Sequence, residues 1–156
     1  MSRAKDIVER ASAAGIVIAT AESCTGGMIS AAITDIAGSS RVLDRGFVTY
    51  SNAAKMDMLG VSAETLDTHG AVSEQVAAEM AAGALKHSNA TLSVSVTGIA
   101  GPGGSDFKPE GRVCFGVATK DGVATQQIDF GLLGRAGVRN ATVSHAMDLL
   151  LEKLPN

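Results

Sequence analysis

The chain has 156 residues, a net charge of −3, 46% hydrophobic residues and 19% charged ones, which suits a single globular domain and excludes a disordered chain. The acidic balance argues against a nucleic-acid binder, whose footprint is basic, and no stretch reaches the roughly 20 apolar residues of a membrane span. Aromatic residues make up only 3%, with one Tyr and no Trp, so the core must rest on Ala, Val, Ile, Leu and Met. Two cysteines, Cys24 and Cys114, make no disulfide framework. Asp6, Glu9 and Arg10 interrupt any signal-peptide core at the N-terminus. These features predict a reduced, cytoplasmic protein of one domain over residues 1–156.

In chain order, Ile7, Val8, Ala11 and Ala14 recur at helical spacing, and Gly15 ends that helix. Ile16-Val17-Ile18-Ala19 reads as a buried strand. Thr20 to Gly27 reads as a polar turn, and Met28 to Ile33 as the helix that follows it. Ala37-Gly38-Ser39-Ser40 is a loop by composition, Arg41 to Arg45 is ambiguous, and Gly46 to Tyr50 reads as a strand. Ser51 or Asn52 caps a short helix that carries Lys55 and ends at Gly60. Ser62-Ala63-Glu64-Thr65 begins another capped turn, and Ser73 starts an Ala-rich helix from Glu74 to Leu85.

Thr91 to Thr97 alternates with period two, which predicts a strand with one polar face or a place at an edge. Gly98 to Glu110 is a Gly/Pro-rich loop. Strands follow from Val113 to Thr119 and from Val123 to Phe130, joined by the hairpin signal Lys120-Asp121-Gly122. Arg135 to Leu154 is a long final helix. The order α-β-α-β-α-α-β-β-β-α predicts an α/β layered domain with a mixed sheet, parallel in part and closed by an antiparallel hairpin.

The turn Thr20-Ala21-Glu22-Ser23-Cys24-Thr25-Gly26-Gly27 is the stretch best suited to chemistry. N–H groups at a helix start are unpaired and favour negative charge. Gly26 and Gly27 let a ligand approach the backbone, and Ser23 and Thr25 add hydroxyls. The same residue types also serve a plain helix cap. A Ser nucleophile needs a base, and His69, His87 and His145 are all remote in sequence. Lys is the other known kind of base. If the strands of Ile16 and Phe47 are parallel neighbours, Ser23, Tyr50 and Lys55 converge at the carboxyl edge of the sheet, where open α/β sheets bind ligands. Such a Lys must be neutral near pH 7, which needs desolvation or a nearby cation. An exposed helical Lys and a core Tyr are the plain alternatives. Ser51, four residues before Lys55, and Cys24 are rival nucleophiles.

Thr97 and Gly98 close a strand before a glycine-rich segment that is neither a Walker A loop nor a Rossmann fingerprint. Arg135 and Arg139, spaced i, i+4 at the start of the last helix, fit either a phosphate clamp or a solvated face. The His and Cys residues show no metal-ligand spacing.

Together these residues carry a resemblance. Ala21-Glu22-Ser23-Cys24-Thr25-Gly26-Gly27, Tyr50-Ser51-Asn52 with Lys55, His69-Gly70-Ala71-Val72-Ser73 and Val96-Thr97-Gly98-Ile99-Ala100-Gly101-Pro102 are similar, in order and from Ile7 to Leu150, to the CinA C-terminal domain family. Its members include nicotinamide-nucleotide amidohydrolases. The resemblance implies a three-layer α/β/α domain that hydrolyses the carboxamide of nicotinamide mononucleotide in pyridine nucleotide salvage, with no metal or cofactor. It implies Ser23 as nucleophile, Lys55 as base and Tyr50 nearby. It places Thr97, Gly98 and Arg135 or Arg139 at the nucleotide site, and in the acyl transfer this suggests, N–H groups around Thr25, Gly26 and Gly27 are expected to hold the oxyanion of the substrate. It also implies a homodimer with no nucleic-acid or membrane partner. A non-catalytic nucleotide-binding or competence-associated module is the alternative. Two positions depart from the family pattern: Gly134 stands where an Asp is common, and Lys108-Pro109-Glu110-Gly111 replaces Lys-Pro-Val-Gly.

Overall fold

The computed structural model describes residues 2–105 and 107–156. Five strands make one sheet: β1 (Ile18–Glu22), β2 (Leu43–Val48), β3 (Leu92–Gly98), β4 (Arg112–Thr119) and β5 (Gly122–Asp129). Their order is β2-β1-β3-β4-β5. β1 runs parallel to both β2 and β3, while β3–β4 and β4–β5 are antiparallel. Six helices cover the two faces: α1 (Arg3–Ala14), α2 (Met28–Thr34), α3 (Asn52–Leu59), α4 (Ala63–His69), α5 (Glu74–Lys86) and α6 (Gly134–Glu152). Helices α1, α2 and α6 pack together on one face, and α3 and α4 pack on α5 across the other. The three-layer mixed α/β fold is therefore present. Among the described residues no helix is long and apolar enough to cross a membrane.

Two apolar cores follow from the alternation of β1, whose successive side chains point to opposite faces. Ile18 packs with Ile7, Ile29, Ile33, Val94 and Leu150 under α1, α2 and α6. Ala19 and Ala21 pack with Leu59, Val61, Val76 and Met80 under α3 and α5. Ser2 caps α1, Ser51 caps α3, Ser62 caps α4 and Ser73 caps α5 through their hydroxyls.

Several boundaries differ from the sequence reading. Thr20, Ala21 and Glu22 belong to β1 rather than to the turn. β2 starts in the ambiguous stretch at Leu43 and stops at Val48, leaving Thr49 and Tyr50 outside the sheet. The capped turn at Ser62 is a two-turn helix, α4. β3 is central rather than at an edge, and its polar face is buried. The reason is local: Ser93 Oγ donates to the Ala81 carbonyl, Ser95 Oγ to the Ala77 carbonyl and Thr97 Oγ1 to the Ala71 carbonyl. Hydroxyls bonded to carbonyls of the overlying helix and of the loop before it lose the cost that keeps them at a surface. The Gly98–Glu110 stretch is a loop as expected beyond Gly98, which β3 includes; Asp106 lies outside the described residues.

Candidate active site

β1 and β2 are parallel neighbours, with Ala21 opposite Phe47 and Glu22 opposite Val48. Both chains therefore leave the sheet at the same edge. Beyond β1 the chain makes the Ser23–Gly27 turn into α2; beyond β2 it passes through Thr49 and Tyr50 into α3. Ser51 Oγ accepts from the Ala54 N–H and fixes the start of α3. Ser51 is thus engaged as a cap and lies exposed. Lys55 sits on the first turn of that helix.

The two exits bring Ser23 and Lys55 together. Lys55 Nζ lies 3.0 Å from Ser23 Oγ, 2.9 Å from the Thr49 carbonyl oxygen and 3.4 Å from that of Tyr50. Lys55 is only 1% exposed, and burial pulls its pKa below the ordinary lysine value. No carboxylate pairs with it among the described residues. A neutral amine has two N–H groups and one lone pair. Two carbonyls accept the first two, and the Ser23 hydroxyl is left to meet the third. The site thus sets the Ser23 hydroxyl against a buried amine whose charged form burial disfavours.

The turn is held from both sides. The Glu22 side chain, fully buried, accepts from the N–H groups of Gly27, Ile29 and Ser30 and from the hydroxyls of Thr25 and Ser30. Arg139 donates from α6 to the carbonyls of Cys24 and Thr25, at 3.0 and 3.3 Å. The Gly26 N–H donates to the Ser23 carbonyl. Gly26 and Gly27 therefore have their N–H groups engaged within the protein. The amides of Cys24 and Thr25 donate to no other described residue.

Ser23, Cys24, Tyr50, Asn52, Lys55, Thr97, Gly98 and Arg135 line one cavity of about 350 Å³, together with the glycine-rich segment Gly101–Ser105. The cavity thus gathers six of the ten residues expected from sequence: Ser23, Tyr50, Lys55, Thr97, Gly98 and Arg135. Tyr50 stands 63% exposed at the rim. Arg135 donates to the Tyr50 hydroxyl at 3.0 Å and to the Gly101 carbonyl at 2.8 Å, so it bridges the mouth. Thr25, Gly26, Gly27 and Arg139 lie outside the lining and serve the turn instead. The two arginines, one helical turn apart, therefore face different tasks. Gly134 supplies the left-handed φ of 78° that starts α6.

The rival nucleophile fares differently from Ser23. Burial pushes the Cys24 thiol up to about 11, against a smaller lowering by its own backbone N–H. A thiol so placed stays protonated at neutral pH. No histidine lines the cavity. Among the described residues no group of three or more His, Cys, Asp or Glu side chains is placed to hold a metal ion. Glu22 is the participant that sequence reasoning left without a role, and Asn52, read there as a possible helix cap, lines the cavity. The one available signal was a Glu ending an otherwise apolar strand.

Comparison with known proteins identifies the family of the chain. The model of the CinA C-terminal domain matches residues 1–154. A nicotinamide-nucleotide amidohydrolase PncC of Escherichia coli is 47% identical over 154 residues, covering 98% of this chain and 93% of that protein. Another of that name, from Enterobacter agglomerans, is 64% identical over 111 residues, covering 70% and 68%. The crystal structure of the competence/damage inducible protein CihA from Agrobacterium tumefaciens superposes with a TM-score of 0.90 at 49% identity, over 97% of this chain and 96% of that one. The chain belongs to the CinA C-terminal domain family.

Proposed function

We propose that the protein hydrolyses the carboxamide of nicotinamide mononucleotide, giving nicotinate mononucleotide and ammonia. The observation that carries this reading is the buried Lys55 amine 3.0 Å from Ser23 Oγ, inside the cavity. The names of the two PncC relatives supply the substrate class.

The chemistry is acyl transfer in two steps. The Lys55 lone pair takes the Ser23 hydroxyl proton as Oγ bonds to the carboxamide carbon. The carbonyl oxygen becomes an oxyanion, to which the unengaged amides of Cys24 and Thr25 donate. The C–N bond breaks as the Lys55 ammonium returns its proton to the leaving nitrogen, and ammonia departs. Water then attacks the acyl-serine. Lys55 takes the water's proton and gives it back to Ser23 Oγ, which releases the carboxylate. Buried carbonyls around Nζ keep the amine in place through both steps. Arg135, at the mouth, offers the only cation of the lining besides Lys55 and suits the nucleotide phosphate.

Ammonia release from nicotinamide mononucleotide tests the reading. The parent enzyme releases one ammonia per nicotinate mononucleotide, and Ser23→Ala falls to the uncatalysed background. Calorimetric binding without ammonia release would instead establish a binding module. Near-parental turnover in Ser23→Ala would remove the nucleophile.

A further inference from the structure

Glu22 lies next to Ser23 but points away from it, to the α2 side of β1, the face shared with Thr20. Its carboxylate is fully buried. No Lys or Arg pairs with it among the described residues; five hydrogen-bond donors surround it instead. Oε1 accepts from Thr25 Oγ1, from Gly27 N at 3.2 Å and from Ile29 N at 3.0 Å. Oε2 accepts from Ser30 N at 3.1 Å and Ser30 Oγ at 3.2 Å. The site is made to measure. Gly46 stands opposite Thr20 in β2, and a Cβ there would collide with the hydroxyls of Ser30 and Thr20, which bond each other at 2.6 Å. A carboxylate is bound in a cradle that only a bare glycine on the next strand leaves open.

We propose that Glu22 is a positioning residue for the hydrolysis, and that its carboxylate decides which amides of the turn remain free for the oxyanion. This rests on the hydrolase reading above. Five donors converge on α2's first turn, so the helix start is satisfied from within. That consumes the Gly27, Ile29 and Ser30 amides and anchors Thr25 by its side chain. The Cys24 and Thr25 amides, between Ser23 and the anchored end, are the amides of the turn that donate to no other described residue. A donor moved by about 1 Å loses most of its effect on a developing charge, worth about 100-fold in rate.

Glu22→Gln keeps the shape and breaks the pattern. One oxygen becomes an NH₂ with no lone pair. Turned one way it faces the Ser30 N–H; turned the other it faces those of Gly27 and Ile29. Either way a buried N–H meets a donor, and the turn must shift. The expected result is a folded protein whose kcat for ammonia release falls about 100-fold, with KM within about twofold because the displaced amides meet a charge that exists only in the transition state. A role in folding alone would lower the melting temperature and leave kcat in place. A kcat within threefold of the parent, or a loss confined to KM, overturns the proposal. If Glu22→Gln does not fold, the Thr25 pair decides. Thr25→Val removes one donor and should lower kcat about tenfold, whereas Thr25→Ser, which restores the hydroxyl without the methyl, should recover most of that loss. An undiminished kcat in Thr25→Val overturns the proposal. An inactive parent sinks the hydrolase reading, and a normal variant beside an active parent sinks only the role of Glu22.

Discussion

Replacing Lys55 by Met tests the base directly. Met matches the length of the Lys stem and removes the amine, so packing around α3 is largely kept. The structure fixes what is lost. Ser23 Oγ has one nitrogen base within hydrogen-bond distance, at 3.0 Å, and no histidine lines the cavity to replace it. General acid–base catalysis contributes about 10²–10⁴-fold, and Lys55 serves both proton transfers of each step. The upper end applies, so kcat should fall about 10⁴-fold, a rise of about 5 kcal/mol in the barrier. The folding cost is small by comparison. The variant leaves the Thr49 and Tyr50 carbonyls without a donor, but no longer buries an amine. Ammonia release coupled to glutamate dehydrogenase measures the rate, and circular dichroism confirms the fold. Lys55→Ala adds a positive control: small alkylamines should restore part of the rate in proportion to their free-base concentration. A folded Lys55→Met enzyme within tenfold of the parent would refute the argument.

Two further outcomes follow. Burial lowers the Lys55 pKa, so kcat/KM should climb as pH rises through that lowered value, and the acid limb should vanish with Lys55. Stability carries the same sign. Between the lowered folded pKa and the ordinary value of about 10.4, the unfolded chain binds a proton that the folded one does not, so folding strengthens with rising pH across that window. Denaturation of parent and Lys55→Met at several pH values should show the difference growing upward; a difference falling with pH would contradict it. Gly83→Ala should destabilise, although Ala normally favours a helix by about 1 kcal/mol over Gly. A Cβ at Gly83 in α5 collides with the backbone carbonyl of Leu59, where α3 crosses. Overpacking of this kind costs about 1–3 kcal/mol, or about 2–12 °C in a thermal melt of a domain this size, and an unchanged or raised melting temperature would refute the clash.

The layers of the fold were legible because their signals are local. Capping serines at positions 51, 62 and 73, a period of 3.6 in α1 and the Asp121-Gly122 hairpin each depend on neighbours in sequence. What escaped depended on partners far along the chain. Ser93, Ser95 and Thr97 predict a polar strand face or an edge until carbonyls of α5 and of the loop before it are known to lie above them. Glu22 reads as part of a polar turn because a carboxylate in a buried strand is costly without its donors. Three of those donors are backbone N–H groups, which every residue type carries and no sequence pattern marks. The same limit split Arg135 from Arg139. Helical spacing puts both on one face, but only the position of the Ser23–Gly27 turn decides that one meets carbonyls and the other meets the cavity.

The site's polarity has one physical source. An amine in this position must be uncharged to accept a proton, and burial is the lowering influence on Lys55. Burial alone would leave the amine free to rotate, and a rotating lone pair is a poor base. The carbonyls of Thr49 and Tyr50 remove that freedom without adding charge. A carboxylate in their place would restore the ammonium and end the base's use. This explains why Glu22, one residue from Ser23, is turned to the opposite side of the strand and saturated there by five donors. The fold needs its acceptor to cap α2 and needs its charge kept from Lys55. Alternation along β1 sends Glu22 to the α2 side, and Ser23, the first residue beyond the strand, meets Lys55 instead.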